Sequence, residues 1–109
     1  MKWGEVRWYT FKEPDKRRPV LILTRNSAIG FLNAVTVAPI TTTIRDIPSE
    51  VFLSRDDGLF TDCAVNLDNV QTVPKINVGE LITRLSPERM DEVKYALVFA
   101  LGFDSLLFR

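Results

Sequence analysis

The segment KRRPVLILT, residues 16–24, is the most informative part of this sequence for its fold. Two arginines stand directly before Pro19, and the four large aliphatic residues 20–23 follow it. Pro19 fixes its own φ angle and favours an extended backbone at Arg18. A short apolar run bounded by charge predicts a strand that is buried on both faces. Arg18 is then either a solvated strand end or a planar cation at a rigid rim, suited to binding phosphate or carboxylate.

The composition indicates one domain covering residues 1–109. The chain has 109 residues, of which 46% are hydrophobic, and this length is enough to bury one core. The formal net charge is zero, but residues 1–25 hold seven basic and three acidic side chains. That segment therefore carries +4 and the remainder −4. The asymmetry favours an anionic partner for the N-terminal part.

The sequence has one cysteine, Cys63, and no histidine. A disulfide within the chain, a cysteine-based zinc site, and Ser-His-Asp or Cys-His catalysis are therefore excluded. Any metal would depend on oxygen ligands, and no acidic spacing suggests such a centre, so we predict no metal and no cofactor. No apolar leader or bilayer-length segment is present, and we expect a cytoplasmic protein without a membrane partner.

Short apolar segments follow one another along the chain. In the first, Val6, Trp8 and Thr10 alternate with Arg7, Tyr9 and Phe11, which predicts a half-buried strand. The charged loop 12–16 then joins this strand to the central one as a hairpin. Further strands are predicted at 34–40, 51–53, 63–66, 69–73 and 82–85, with Pro39 ending the one that contains it. A short helical turn is expected between residues 26 and 31, ended by Gly30.

The C-terminal part predicts a helix. Ser86 is a suitable N-cap, and Pro87 suits the first helical position. Gly102 supplies the end of the helix. The apolar tail 106–108 is expected to pack on this domain or on a second subunit. The apolar face at helical spacing comprises Met90, Val93, Leu97 and Leu101. Short strands followed by one helix predict a mainly β protein, a small barrel or curled antiparallel sheet.

Several motifs along the sequence together resemble one known family. Arg18-Pro19 opens one predicted strand, and Thr41 directly follows the end of another. The remaining motifs are Gly4-Glu5-Val6, Val20–Leu23, Val37–Thr42, Gly58-Leu59, Asp62, Val70–Val73 and Ala100–Gly102. In this order they resemble the MazF/PemK-type toxin endoribonucleases of type II toxin–antitoxin systems.

The resemblance implies both a fold and an activity. The fold is the small SH3-like barrel of the MazF/CcdB toxins, and the active form is a homodimer. The activity is metal-independent, sequence-specific cleavage of single-stranded RNA, in which the 2′-hydroxyl attacks and leaves a 2′,3′-cyclic phosphate. A small acidic antitoxin is the expected inhibitor. The family's catalytic arginine and threonine correspond to Arg18 and Thr41.

The chemistry of these two residue types agrees with the assignment. A fixed guanidinium can stabilise the doubly charged phosphorane, and a threonine hydroxyl can donate to the same oxygens or orient the attack. Because the pKa of arginine is about 12 or higher, we assign Arg18 to charge stabilisation and protonation of the leaving oxygen. The general base stays open: Glu13 and Asp15 are candidates, or simply solvated turn residues.

RNA contacts are expected from cations, hydroxyls, amides and aromatic rings that stack on unpaired bases. Among the aromatic candidates Trp8, Tyr9, Phe11 and Phe31, we favour Phe11 because it borders the loop. The predicted RNA-binding set is Phe11, Lys16, Arg17, Arg25, Thr42 and Gln71. Two alternatives are a CcdB-like gyrase poison on the same fold and a non-catalytic SH3-like binding module.

Overall fold

The computed structural model describes residues 1–12 and 16–107, with Lys16, Leu106 and Leu107 described by their backbone alone. The strands in this part are β1 Glu5–Phe11, β2 Lys16–Ile22, β3 Ala34–Thr41, β4 Glu50–Leu53, β5 Cys63–Asn66, β6 Gln71–Pro74 and β7 Val78–Arg84. The helices are α1 Asn26–Ile29, α2 Pro87–Ala100 and α3 Asp104–Leu107. Three 3-10 turns cover Arg55–Asp57, Leu67–Asn69 and Lys75–Asn77. The sixth strand starts later than predicted because Leu67–Asn69 forms a turn, and the seventh is longer than predicted.

The strands form one antiparallel sheet in the order β4-β5-β3-β2-β1-β7, and β6 pairs with β3 beside β5. The path ends at β4 and β7, so the sheet of the described residues curls without closing. The predicted fold class, a curled antiparallel sheet with a C-terminal helix, is confirmed. The hairpin of β1 and β2 also forms as predicted, with Phe11 paired to Lys16 next to the loop.

The central strand β2 is buried on both faces, as its sequence predicts. Leu21 belongs to the main core, which the sheet forms with α2. Val20 and Ile22 point the opposite way into a second core, which includes Ile29 of α1. None of the three side chains has any exposed surface. The strand therefore acts as the shared wall of two apolar clusters.

The alternating, half-buried pattern predicted for β1 is only partly present. Val6 is buried in the main core, but Tyr9 is buried in the second core and Thr10 is exposed. The cause is that both faces of β1 are partly covered, and its register against β7 shifts on either side of Arg7. A period of two is a reliable signal only for a regular strand with one wet face.

The prediction that Pro39 ends its strand is wrong. β3 continues through Pro39 to Thr41, and Pro39 pairs with Val20 of β2. On the other side of β3, residues 34–37 pair with β6 and residues 40–41 with β5. Pro39 thus lies where β3 has changed partner on that side, a position compatible with a residue that lacks the N–H donor.

The helix α2 begins as predicted and packs on the sheet. The Ser86 hydroxyl accepts a hydrogen bond from the Arg89 backbone N–H at 3.2 Å, and Pro87 is the first helical residue. Met90, Val93 and Ala96 are its buried residues. Leu101, predicted on this face, is 58% exposed because the helix ends one residue before it. Gly102 follows with a φ of +81°, as the predicted helix end requires.

The remaining expectations concern the short helical turn, the apolar tail and membrane-spanning segments. The predicted turn of helix is α1, and Gly30 follows its last residue. The side chains of the apolar tail 106–108 lie outside the described residues. None of the helices in the described part of the chain is long and apolar enough to cross a membrane.

Candidate functional site

Arg18 and Thr41 lie together on a ridge between two neighbouring pockets. The aromatic pocket has a volume of about 460 Å³ and the amide pocket about 330 Å³. The aromatic pocket is lined by Trp8, Arg17, Arg18, Pro19, Ile40, Thr41, Thr42, Leu59, Phe60, Thr61 and Cys63. The amide pocket is lined by Phe11, Arg18, Pro39, Thr41, Thr43, Arg45, Asn66, Asn69 and Gln71. Arg18 and Thr41 are the two residues common to both linings.

The strand pairing explains how residues distant in sequence meet here. Arg18 lies near the start of β2, and Thr41 is the last residue of β3. Because β2 and β3 are antiparallel, with Val20 opposite Pro39, the start of one strand lies beside the end of the other. Pro19 directly follows Arg18, and Pro39 stands two residues before Thr41, so each proline fixes its own backbone φ close to this rim.

The orientation of Arg18 follows from the alternation of side chains along β2. Arg18 shares its face with Val20 and Ile22, whose side chains fill the second core. Arg18 is the next member of that row beyond the buried part, and the residue as a whole is half-buried at the rim. No ion pair joins it to any acidic residue that the structure describes. With respect to the residues that the structure describes, its donors are therefore available to an anion.

The Thr41 hydroxyl is oriented by a local hydrogen bond. Its oxygen accepts from the Thr43 backbone N–H at 3.1 Å. A hydroxyl that accepts at one lone pair still has its own O–H to donate. That hydrogen can reach a group bound on the ridge beside Arg18. One cation and one hydroxyl donor on a shared ridge are suited to an oxyanion such as phosphate.

The aromatic pocket contains a stack of side chains. The Trp8 and Phe60 rings are stacked, with centroids 5.6 Å apart and an interplanar angle of 17°. The Arg17 guanidinium carbon lies 4.1 Å from the centroid of the Trp8 ring. Arg17 and Arg18 are the charged residues of this lining, so the pocket combines an aromatic surface with positive charge.

The amide pocket has a different chemistry. The side chains of Asn66, Asn69 and Gln71 supply both donors and acceptors. The Asn66 Oδ1 accepts from the Asp68 backbone N–H at 3.0 Å, which leaves its amide hydrogens for other partners. Arg45 adds positive charge and lies 3.8 Å from the buried Glu50 carboxylate. Such groups can hydrogen-bond the edge of a planar polar ligand.

Cys63 is a neutral group at the floor of the aromatic pocket. Burial, together with the negative charges of Asp57 and Asp62, raises the pKa of its thiol to about 11. Because the thiolate is the nucleophilic form, this cysteine is unreactive near neutral pH. The floor of the pocket is therefore apolar rather than nucleophilic.

The structure brings together most of the residues predicted from the sequence. Arg17 and Thr42 line the aromatic pocket, and Phe11 and Gln71 line the amide pocket. Phe11 packs edge-on against Tyr9, with centroids 4.8 Å apart.

The other predicted residues have different outcomes. Arg25 lies beyond β2 at the start of α1, where its Nε donates to the Ser27 hydroxyl, and it lines neither pocket. Phe31 is 87% exposed and also lines neither. The side chain of Lys16 and the candidate bases Glu13 and Asp15 lie outside the described residues.

Phe60, Arg45, Asn66 and Asn69 are site residues that the sequence did not identify. Phe60 follows a tight turn in which the Ser54 hydroxyl and the Asp57 carboxylate cap each other's backbone N–H groups. Gly58 ends this turn with a φ of +93°. The available signal was an aromatic residue two positions after a turn glycine, where a solvated loop would carry a polar one.

Taken together, the fold and the ridge define a small, curled β-sheet protein in which one arginine and one threonine stand between an aromatic and an amide pocket. Residues 2–101 match the family described as PemK-like, MazF-like toxin of type II toxin–antitoxin system. The chain belongs to this family.

Individual relatives support the same conclusion. The chain is 38% identical over 103 residues to the probable endoribonuclease MazF2 of Mycobacterium tuberculosis, covering 94% of this chain and 99% of the relative. It is similar in structure to the Mycobacterium tuberculosis toxin MazF-mt6, with a TM-score of 0.84, 37% identity and coverage of 92% and 98%. It is also similar to a mycobacterial endoribonuclease solved in complex with its cognate antitoxin, with a TM-score of 0.83, 29% identity and coverage of 94% and 95%.

Proposed function

We propose that this chain is a sequence-specific, metal-independent endoribonuclease that cleaves single-stranded RNA and acts as the toxin of a toxin–antitoxin pair. The observation that carries the proposal is the ridge on which Arg18 and Thr41 line both pockets at once. A phosphate on this ridge has one flanking nucleotide on each side. The relatives named endoribonuclease support the same activity. They favour it over the gyrase-poison and adaptor alternatives.

In the proposed reaction, the ribose 2′-oxygen attacks the adjacent phosphorus and the 5′-oxygen of the next nucleotide leaves. The products are a 2′,3′-cyclic phosphate and a 5′-hydroxyl. Arg18 donates hydrogen bonds to the non-bridging oxygens, whose negative charge increases in the transition state. Arg18 also protonates the leaving oxygen, while the 2′-hydroxyl proton passes through a general base to solvent, which returns a proton to Arg18. The Thr41 O–H donates to the same phosphate and holds it in line for attack.

Each of the two pockets binds the nucleotide on its own side of the scissile phosphate. Gln71 in the amide pocket hydrogen-bonds a base edge, and Asn66 and Asn69 stand beside it for the same purpose. Phe11 borders this pocket as an aromatic contact. Arg17 and Thr42, on the other side of the ridge, contact the RNA backbone. Sequence preference then arises chiefly in the amide pocket.

The active form is a homodimer. Phe31 and Ile76 are 87% and 90% exposed, and their segments are joined by a hydrogen bond from Lys75 Nζ to the Ile29 carbonyl at 2.7 Å. Ile76 lies two residues beyond the end of β6, and a second copy packed on this apolar surface would bury both side chains. Substituting Ile76 with Asp should shift the mass measured by light scattering from dimer to monomer.

A small acidic antitoxin inhibits the chain by covering the ridge in the cytoplasm. A flexible acidic segment mimics the polyanion and folds as it binds. Its carboxylates pair with Arg17 and Arg18, and its apolar side chains cover exposed rings. Co-expression with the neighbouring upstream reading frame should rescue growth and yield a complex. A rescued complex that still cleaves RNA at full rate would place the partner elsewhere.

The deciding experiment incubates the purified protein with a long unstructured RNA in the presence of a chelator. Discrete fragments that end in cyclic phosphate support the proposal. The Arg18→Ala variant is the control for contaminating nuclease. Intact RNA with the parent protein, or equal cleavage by the variant, would overturn it.

A further inference from the structure

We propose that Phe60, stacked on Trp8, is the surface on which one unpaired base next to the scissile phosphate stacks. This inference rests on the proposed ribonuclease function and adds the residue that holds one of the two flanking nucleotides. Phe60 is 60% exposed although its ring is large and apolar. It lines the pocket that Arg18 and Thr41 also line. An exposed ring beside an anion site is the arrangement that binds single-stranded nucleic acid.

The geometry fixes the Phe60 ring before a ligand arrives. The 17° angle and 5.6 Å separation from Trp8 give Phe60 an aromatic partner. Trp8 is itself held by β1, where it pairs with Pro19, and by the Arg17 guanidinium 4.1 Å from its ring centroid. A planar base that enters the pocket extends an existing stack. The ordering cost of binding is therefore lower than for an isolated, rotating side chain.

The charges of the pocket select a nucleotide over an uncharged aromatic ligand. The charged residues of its lining are Arg17 and Arg18, both cationic. A base that stacks on Phe60 brings its own phosphates toward these two side chains. The apolar part of the lining, which includes Ile40 and the neutral Cys63, lies beside the hydroxyls of Thr41, Thr42 and Thr61. The stack of Trp8 and Phe60 accordingly offers a surface for the flat face of a base.

The role proposed for Phe60 replaces the one that the sequence suggested for Phe11. Phe11 packs edge-on against Tyr9 and borders the second core, so its ring is only partly available. Phe60 stands on the opposite side of the ridge, with most of its surface free. The stacking contact is thus placed in the aromatic pocket, and edge contacts are left to the amide pocket.

The test is a double-mutant cycle that combines the substitution of Phe60 in the protein with the removal of one base from the RNA. Cleavage sites of the parent protein are first mapped on a long RNA. Two short oligonucleotides around one site are then made, one with an abasic nucleotide before the scissile phosphate and one with it after. Because base stacking on an aromatic side chain is lost on substitution by alanine, Phe60→Ala should weaken kcat/KM for the intact oligonucleotide about 5- to 150-fold. An abasic nucleotide on one side should weaken the parent by a similar factor and Phe60→Ala hardly at all. Phe60→Trp should retain activity within about threefold.

Control variants separate this inference from the ribonuclease proposal. Phe103→Ala removes another aromatic ring of similar exposure, 52%, that lines neither pocket, and should match the parent. If the abasic nucleotide lowers kcat/KM by the same factor in the parent and in Phe60→Ala, the stacking role is overturned. Cleavage of the intact oligonucleotide by the parent would still support the proposed function in that case. Weaker binding of the acidic partner with unchanged RNA cleavage would assign Phe60 to the antitoxin and also overturn it. If the parent binds and cleaves no RNA, the function and this inference both fail.

Discussion

Replacing Arg18 by lysine tests whether the planar fork, and not merely positive charge, stabilises the transition state. A guanidinium can donate two parallel hydrogen bonds to a phosphate, whereas an ammonium acts as a point charge. The substitution therefore removes at least one donor to the developing oxyanion. Loss of one such donor lowers kcat by roughly 10²–10³, which is about 2.7–4 kcal/mol.

The fold should be unaffected by this substitution. Arg18 is half-buried at the rim and has no ion pair with a described acidic residue, so the free energy of unfolding should change by less than about 0.5 kcal/mol. A matched control is Arg25→Lys. Arg25 belongs to the same basic N-terminal segment but lines neither pocket. Its variant should keep kcat within about twofold.

The assay is single-turnover cleavage of a fluorogenic oligonucleotide that carries one mapped site, combined with thermal unfolding of each variant. A parent rate for Arg18→Lys, with the oligonucleotide still cleaved at the same bond, would show that the planar fork is not needed. Equal loss of activity in Arg25→Lys and Arg18→Lys would show that general charge, and not the position of Arg18, explains both.

The other predictions concern the hydroxyl, the metal, a buried carboxylate and a turn glycine. Thr41→Val should lower the single-turnover rate about 10-fold or more with little change in RNA affinity, and Thr41→Ser should restore it, since only the serine keeps a donor. Cleavage should survive excess EDTA; loss on chelation that magnesium reverses would contradict the mechanism. Glu5 is buried and its pKa is lowered from its ordinary value of 4.5, because hydrogen bonds to its carboxylate outweigh the opposing effect of burial. The stability that the Glu5 carboxylate adds to the fold is present above pH 4.5 and is lost as pH falls through the lowered pKa. Glu5→Gln should therefore lower the free energy of unfolding by about 1–3 kcal/mol at pH 7 and by less at pH 3. The control Glu80→Gln, at an exposed position, should show no change measurable by thermal unfolding. Gly58→Ala should destabilise the fold by more than about 1 kcal/mol in a denaturant titration, since φ is +93° and a Cβ would overlap the Thr83 hydroxyl; an unchanged midpoint would mean that the turn can relax.

The sequence by itself determined the features that depend on neighbouring residues. The apolar run after Pro19 predicts a strand buried on both faces because four consecutive large side chains leave no wet face, and β2 has none. The cap Ser86 and the proline after it specify the start of α2 through local backbone chemistry alone. Arg18 and Thr41 stand at strand ends that the sequence marks, and the resemblance to the toxin family assigned them as the catalytic pair. Their catalytic roles remain predictions.

Only the tertiary structure decided which strand ends meet and what surrounds them. β3 changes partner from β6 to β5 beside Pro39, and no local pattern encodes that exchange, so the strand was predicted to stop there. The same exchange places the residues before β6 beside Arg18 and creates the amide pocket. Phe60 and Trp8 are 52 positions apart in the chain, and their stack exists because the turn after β4 folds over β1. Arg25 is close to Arg18 in sequence, but it lies beyond the far end of β2 and lines neither pocket. Local sequence patterns report the conformation of neighbouring residues, whereas a binding site is formed by pairing between distant strands. For this reason the strand ends that carry the ridge were predictable and the two pockets beside it were not.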